Sequence, residues 1–226
     1  MSLQYVENNY RRLKEEIATA ARGREITLVC VTKSGTDEEL LALASLGVTD
    51  IGENRPGELR RRGELLRECG YTPRLHEIGT LQRNKVKYII DCASLIHSVD
   101  SIELARQIDR LAREHGRTLP VLIEVNSAEE EQKGGVRPDD ADALIEKMRE
   151  LTNITVAGVM TMGPRVCDPE LLRPYFRATR ELFDRLNAKY SFPDGGILSM
   201  GMSDSFAVAI EEGATLVRVG TRLFEK

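Results

Sequence analysis

The sequence predicts an α/β protein, a single closed (β/α)8 barrel of the TIM type with an extra N-terminal helix. About eight short apolar runs rich in β-branched residues are typical of buried strands. Most of these runs are separated by a segment with helical periodicity, and such alternation implies parallel strands joined by crossover helices. The length of 226 residues suits one barrel, and no linker or repeat divides it. We therefore expect one domain over residues 1–226.

The first element is a helix over residues 3–22. Its apolar residues recur at spacings of three and four, as in an amphipathic helix, and Gly23 follows as a stop signal. These apolar residues are Leu3, Val6, Tyr10, Leu13 and Ile17.

The strands and the remaining helices alternate after this helix, and Thr36 is a suitable cap for the first of those helices. The strands are predicted at 26–32, 48–51, 75–78, 94–97, 120–125, 155–160, 197–200 and 216–219. The helices are predicted at 37–46, 56–69, 101–115, 139–151, 169–189 and 204–213. An open doubly wound sheet would also fit this order. The strand count favours the barrel, and no GxGxxG follows the first strand as a dinucleotide-binding sheet would require.

The composition excludes several functional classes. A net charge of -4 argues against a nucleic-acid-binding surface, which is normally basic. The four cysteines form no CxxC pair and no metal-ligand spacing with the three histidines, so we expect reduced thiols, no metal and a cytoplasmic location. The N-terminal segment lacks a signal-peptide core, and no apolar stretch approaches the roughly 20 residues of a membrane span.

Lys33 stands at the end of the first predicted strand. A single lysine there is usually one whose stem packs on apolar surface while its ammonium group reaches water. In a barrel, however, the carboxyl ends of all strands meet on the face that carries the chemistry. The role of Lys33 therefore depends on the residues at the carboxyl ends of the other strands.

Two strand ends have the residues of a phosphate site. Gly201, Met202 and Ser203 precede a predicted helix, where backbone N–H groups and a hydroxyl can face an anion. Gly220 and Thr221 follow the last strand, and phosphate sites in barrels commonly use the loops after the last two strands. The alternative is that both pairs are ordinary helix caps.

Arg218 is the second unusual charge, because Val217 and Val219 flank it within the last strand. Strand alternation places it on the opposite face from these valines, either inside the barrel or under the outer helices. A buried arginine requires an acceptor. That acceptor is either a ligand at the barrel mouth or a structural partner such as Glu53.

A lysine desolvated by its strand and close to Arg218 would have a nucleophilic amine suited to a Schiff base. With a phosphate site across the mouth, the ligand predicted is an aldehyde that carries a phosphate. Pyridoxal 5'-phosphate (PLP) has both groups. A sugar phosphate bound as in a Schiff-base aldolase has them too, and the spacing of the residues does not separate the two.

Seven motifs together resemble the pyridoxal phosphate homeostasis proteins, single-domain barrels similar to the N-terminal domain of alanine racemase (PLP fold type III). The resemblance covers nearly the whole chain. The motifs are VTK (31–33), DIGENR (50–55), HEIGTLQRNK (76–85), LIHSVDS (95–101), VLIEVNSAEEEQKGGV (121–136), LSMGMSDSFAVAI (198–210) and GATLVRVGT (213–221).

The resemblance implies a role for each candidate residue. Lys33 would hold PLP as a Schiff base, Ser203, Gly220 and Thr221 would bind its phosphate, and Arg218 would face the pyridine nitrogen. The residues lining the ring would be Asn54, Met200 and His76. The sequence departs from the family pattern at the SGT after Lys33, at Thr80 and at Glu225.

The implied function is a PLP carrier or buffer with little or no catalysis, and its partners would be PLP-dependent apoenzymes. An arginine facing the pyridine nitrogen disfavours its protonation and weakens the ring as an electron sink. Racemisation also needs an acid and a base on opposite faces of the substrate, and alanine racemase takes one of them from a second domain. Only about five residues follow Thr221, so we expect no such domain. The first alternative is an amino-acid racemase with a base such as His76, and the second is a Schiff-base aldolase. The chain would be a monomer or a weak dimer.

Overall fold

Eight parallel strands pair in chain order and the last pairs with the first, which closes the barrel. The computed structural model describes residues 3–130, 132 and 134–226. The strands are β1 (Thr27–Val31), β2 (Asp50–Glu53), β3 (Arg74–Glu77), β4 (Leu95–Val99), β5 (Leu119–Glu124), β6 (Ile154–Met160), β7 (Ile197–Ser199) and β8 (Leu216–Val219). The predicted closed barrel is therefore confirmed.

Helices surround this barrel, and each helix that the sequence predicts is present among the described residues. They are α1 (Gln4–Ala21), α2 (Asp37–Ser45), α3 (Pro56–Glu68), α4 (Ile102–Glu114), α5 (Ala141–Met148), α6 (Arg173–Tyr190), α7 (Phe206–Glu211) and α8 (Thr221–Phe224). The predicted cap of α2 is confirmed, because the Glu39 N–H donates to Thr36 Oγ1 at 3.3 Å and the Thr36 N–H donates to Glu39 Oε2 at 2.6 Å. The extra helix α1 packs against α2, α7 and α8.

Some helical segments are present where the sequence pattern predicts none. A short 3-10 helix, Arg83–Tyr88, joins β3 to β4, where the sequence pattern predicts no helix. Val86, Ile89 and Ile90 are fully buried there, so this short segment still covers the flank of the barrel. The helix α8 is also additional to the prediction.

Strand alternation divides the core into an inner and an outer layer. The outer layer lies between strands and helices and includes Val217 and Val219. The inner layer is smaller and consists of apolar residues within the barrel, namely Val29, Val31, Leu95, Leu122, Ala157, Met160 and Leu216. Because Arg218 alternates with the two valines of the outer layer, it points into the barrel, the first of the two orientations that the sequence allowed.

The four cysteines are free; Cys30 is buried, Cys92 is partly buried, and Cys69 and Cys167 are exposed. In the described part of the chain, no helix has the length and apolar character needed to cross a membrane.

Candidate functional site

Lys33 lies in a turn just beyond β1, and it is exposed. The strand ends at Val31, and the Gly35 N–H then donates to the Thr32 carbonyl oxygen at 2.9 Å. This turn carries Lys33 out of the sheet. The predicted desolvation of Lys33 by its strand is therefore wrong, although the residue does stand at the carboxyl end of β1.

The buried Arg62 of α3 holds this turn in place. Its guanidinium donates to the Thr32 carbonyl oxygen and, at 2.7 Å, to the Gly35 carbonyl oxygen. It also donates to Glu53 Oε1 at 2.8 Å, and both of these charged side chains are less than a tenth exposed. The backbone on both sides of Lys33 is thus fixed to the neighbouring helix.

The two loops predicted to bind phosphate meet directly. The Gly220 N–H donates to Ser203 Oγ at 3.4 Å. Gly201 has a φ of +91°, and a Cβ built on it would lie 2.5 Å from the Cβ of Ala209. A Cβ on Gly220 would lie 2.9 Å from the carbonyl oxygen of Val31, two residues before Lys33. Both glycines are therefore required sterically, and the loops after β7, β8 and β1 converge at one end of the barrel.

The helix after this loop begins later than predicted, at Phe206 instead of residue 204. The Ser205 and Phe206 N–H groups donate to the Met202 carbonyl oxygen at 3.0 and 2.9 Å, which forms a turn before the helix. Ser205 Oγ in return accepts from the Met202 N–H at 3.1 Å. The Met202 amide is therefore occupied within the loop. Thr221 is exposed and is the first residue of α8.

Arg218 is buried in the barrel below these loops, with an exposed fraction of 4%. It donates to Ser199 Oγ and, at 3.1 Å, to the carbonyl oxygen of Thr161. Burial lowers the pKa of Arg218 to about 10, with the nearby Glu124 acting in the opposite direction. Arg218 is therefore charged at neutral pH and bound to neutral acceptors. Glu53, the structural partner that the sequence left open, instead binds the arginine of α3.

His76 lies inside the barrel, with an exposed fraction of 3%. Its Nε2 lies 2.8 Å from Asp50 Oδ1, and its Nδ1 lies 2.9 Å from His97 Nε2. Both ring nitrogens are thus engaged by protein groups. This arrangement does not support the predicted alternative in which His76 is the base of a racemase.

The other two residues predicted to line the ring lie in different places. The side chain of Met200 is fully buried in the outer core layer, so only its backbone belongs to the loop after β7. Asn54 is exposed and directly follows β2. Its backbone packs against Gly79, where an added Cβ would lie 2.2 Å from the Asn54 carbonyl oxygen.

Several buried carboxyl groups lie outside the set of site residues that the sequence predicts, and burial raises the pKa of two of them strongly. Glu124 ends β5, and burial together with the nearby Asp100 raises its pKa to about 7, against the effect of Arg218. Glu77 ends β3, and burial raises its pKa to about 8, although it accepts a hydrogen bond from the Gly79 N–H at 3.1 Å. The sequence signal that could have indicated these buried carboxyl groups is an acidic residue within an apolar run, as in VLIEV.

Glu77 should make stability depend on pH. Its Oε2 is buried without a hydrogen-bond partner in the described structure. Its pKa rises from 4.5 to about 8 on folding, so between these values the folded state holds a proton that the unfolded state releases, and stability falls as pH rises. We expect Glu77→Gln to reduce the loss of unfolding free energy between pH 6 and pH 8 by about 2 kcal/mol, measured by urea denaturation.

The exposed Glu181→Gln on α6 is the control and should leave this difference unchanged. Equal pH dependence in the Glu77→Gln and wild-type proteins would contradict the assignment of a neutral Glu77.

Comparison with known proteins identifies the family. A family model described as alanine racemase, N-terminal domain, matches residues 1–225. A pyridoxal phosphate homeostasis protein of Aquifex aeolicus is 43% identical over 216 residues, which cover 94% of this chain and 92% of that protein. This chain belongs to the pyridoxal phosphate homeostasis protein family. The resemblance seen in the sequence is confirmed.

Solved structures agree with this family assignment. The PipY protein of Synechococcus elongatus, solved with PLP bound, is 28% identical with a TM-score of 0.80, and the match covers 93% of this chain and 99% of that chain. An alanine racemase of Clostridium difficile is 19% identical with a TM-score of 0.76, covering 97% of this chain and 60% of that one. The second match shows that this chain shares its barrel fold with part of that alanine racemase.

Proposed function

We propose that this protein, as one domain over residues 1–226, binds PLP reversibly at the carboxyl end of its barrel and acts as a PLP carrier or buffer. Lys33 would hold the aldehyde as a Schiff base. The observation that carries this proposal is the convergence of three strand ends, where Gly220 contacts both Ser203 and the β1 end that leads to Lys33.

The chemistry of the residues fits each part of PLP. The steric demand at Gly201 and Gly220 leaves a cradle without side chains, which suits backbone N–H donors to a phosphate. The hydroxyl of Ser203 adds a donor beside it. Arg218 uses part of its donor set on Ser199 and Thr161, and the guanidinium has further N–H groups for the ring nitrogen. When bound, PLP supplies an aldehyde and an electron sink.

The surroundings of Arg218 favour holding PLP over transforming a substrate. Arg218 is a donor and remains charged at neutral pH, so a pyridine nitrogen facing it would stay unprotonated and the ring would be a weak electron sink. Both nitrogens of His76 are occupied, so this residue does not supply the base that racemisation needs. These features support a non-catalytic protein.

Two measurements on the purified protein test this function. We expect incubation with PLP, followed by desalting, to leave a visible absorption band that borohydride removes while fixing the cofactor to the peptide of Lys33. Absence of the band would refute PLP binding at this lysine, and trapping of a phosphorylated sugar instead would favour the aldolase. In deuterated buffer, the loaded protein should introduce no deuterium at the α-carbon of a panel of amino acids. Wash-in that is lost in Lys33→Ala would favour the racemase.

Ser203→Ala should weaken PLP binding. Loss of one hydrogen bond to a charged phosphate costs about 1.5–3 kcal/mol, which raises the Kd roughly 10- to 100-fold. Equilibrium titration followed by absorbance measures this change. The control is Ser45→Ala at the end of α2, whose hydroxyl donates to the Ala42 carbonyl oxygen. A Kd unchanged by Ser203→Ala would mean that the phosphate is held elsewhere.

The exposure of Lys33 supports exchange of the cofactor with other proteins. PLP-dependent apoenzymes in the cytoplasm are the proposed recipients, and the protein is proposed to act as a monomer or weak dimer. Reactivation of an apoenzyme by the loaded protein, faster than by released PLP, tests the transfer. Reactivation at the rate of free PLP would reduce the role to buffering.

A further inference from the structure

A row of buried polar side chains crosses the interior of the barrel from β2 to β8. His76 Nε2 lies 2.8 Å from Asp50 Oδ1, and His76 Nδ1 lies 2.9 Å from His97 Nε2. His97 Nδ1 lies 3.0 Å from Ser199 Oγ, and Arg218 donates to that same hydroxyl oxygen. All five residues are at most 4% exposed. They form one continuous chain of hydrogen bonds between a carboxylate and a guanidinium.

The two residues at the ends of this row fix the direction in which its hydrogen bonds are donated. Asp50 is ionised, because hydrogen bonds from His76, Arg74 and Thr49 hold its pKa at about 2 although burial opposes ionisation. An ionised carboxylate only accepts hydrogen bonds and a guanidinium only donates them. His76 must therefore carry its proton on Nε2, facing Asp50.

If both rings are neutral, the positions of the remaining protons along the row are determined. His76 Nδ1 then accepts from His97 Nε2–H, and His97 Nδ1 accepts from the hydroxyl of Ser199. A cationic ring is disfavoured, because Asp50 is already paired with Arg74 through one hydrogen bond from Nη2 and an ion-pair contact with Nε, each at 2.8 Å, and Arg218 lies at the other end. Burial, together with the positive charge of the nearby Arg218, lowers the pKa of His97 well below its ordinary value, which favours a neutral His97 ring.

We infer that Asp50, His76, His97 and Ser199 form a one-way hydrogen-bond relay that positions the Arg218 guanidinium, with both histidines neutral and protonated on Nε2. The relay fixes the rotation of the Ser199 hydroxyl, so that its oxygen presents a lone pair to Arg218. Arg218 donates to this hydroxyl and to the Thr161 carbonyl, and both acceptors are neutral, so its orientation depends on them. His97 is thus a positioning residue. Its effect on bound PLP rests on the proposed function, whereas the existence of the relay is independent of PLP binding.

Nitrogen NMR of histidine tests the relay without any cofactor. The sequence has three histidines, and His115→Gln removes the one outside the barrel for assignment. We expect the other two, at pH 7, to show a protonated Nε2 and an unprotonated Nδ1. A proton on Nδ1 of either buried ring, or a cationic ring, would overturn the relay.

A pair of His97 variants tests the positioning of Arg218. Phe fills the space of the ring without polar atoms, whereas Gln keeps a donor group, its amide NH2, and an acceptor, its carbonyl oxygen. We expect His97→Phe to shift the absorption band of the bound cofactor, measured at saturating PLP. The same variant should raise the Kd, measured by titration, about 10-fold. His97→Gln should restore most of the wild-type absorption and most of the wild-type affinity. A lower Tm in His97→Phe with wild-type absorption and Kd would overturn the positioning role.

These outcomes are separable from failure of the proposed function. If the wild-type protein bound no PLP, the proposed function would fail, while the tautomers seen by NMR would still decide whether the relay exists. If His97→Phe did not fold, the NMR result on the wild-type protein and the His97→Gln titration would decide the matter.

Discussion

Lys33→Ala is expected to abolish the visible absorption of the PLP-loaded protein while leaving weak binding of PLP. In the proposed site the amine would supply the covalent bond, whereas the Ser203 and Gly220 loops and Arg218 would contact other parts of the cofactor and remain intact. Because Lys33 is exposed in a turn, its truncation removes no core packing and should leave the Tm unchanged. Absorption after desalting measures the covalent adduct, and equilibrium dialysis measures the residual binding.

Lys85→Ala is the matched control for this variant. Lys85 is also exposed, and it lies in the short 3-10 helix that follows β3. We expect it to keep the absorption band and its sensitivity to borohydride. The opposite pattern, with the band kept in Lys33→Ala and lost in Lys85→Ala, would assign the Schiff base to Lys85.

Arg62→Met is expected to cause the largest loss of stability, about 3–5 kcal/mol in the free energy of unfolding measured with urea. The substitution leaves Glu53 buried without its cation and removes the donors to the carbonyl oxygens of Thr32 and Gly35. Burial raises the pKa of Glu53, so at pH 5 the carboxyl group becomes neutral more readily and the loss should be smaller than at pH 8. The turn that carries Lys33 is also released, so PLP affinity should fall.

The neighbouring Arg61→Ala is the control. Arg61 is about half exposed and its ion pairs with Asp37 and Glu58 are on the surface, where such pairs contribute about 1 kcal/mol or less. A second test adds Glu53→Gln to Arg62→Met, which should recover part of the loss because the unpaired carboxylate is removed. Equal losses for the Arg62 and Arg61 variants would contradict the role given to the buried pair.

The sequence predicts the barrel well because local patterns carry that information. Each strand appears as a short apolar run, and most crossover segments show helical periodicity. The position where Gly220 is sterically required coincides with the end of a strand. That Arg218 lies on the opposite face from Val217 and Val219 also follows from local alternation, whereas its position inside the barrel comes from the structure. These features require no knowledge of which strands face each other across the interior.

The parts that the sequence does not predict depend on long-range register. Asp50, His76, His97 and Ser199 come from four strands, and their contacts depend on how the strands are staggered within the closed barrel. The exposure of Lys33 depends on a turn that Arg62 fixes from another helix. Similarly, β7 has only three residues, so the sequence pattern does not show on which face of the sheet the Met200 side chain lies. The structure places this side chain in the outer layer.

Closure of the sheet has a consequence for recognition by other proteins. In the part of the chain that the structure describes, each of the eight strands is hydrogen-bonded on both sides, so no strand offers free backbone groups to an extended peptide. Another protein cannot dock by adding a strand to this sheet, and two copies of this chain cannot associate in that way. Recognition must therefore depend on side chains of the surrounding helices and of the loops at the barrel rim.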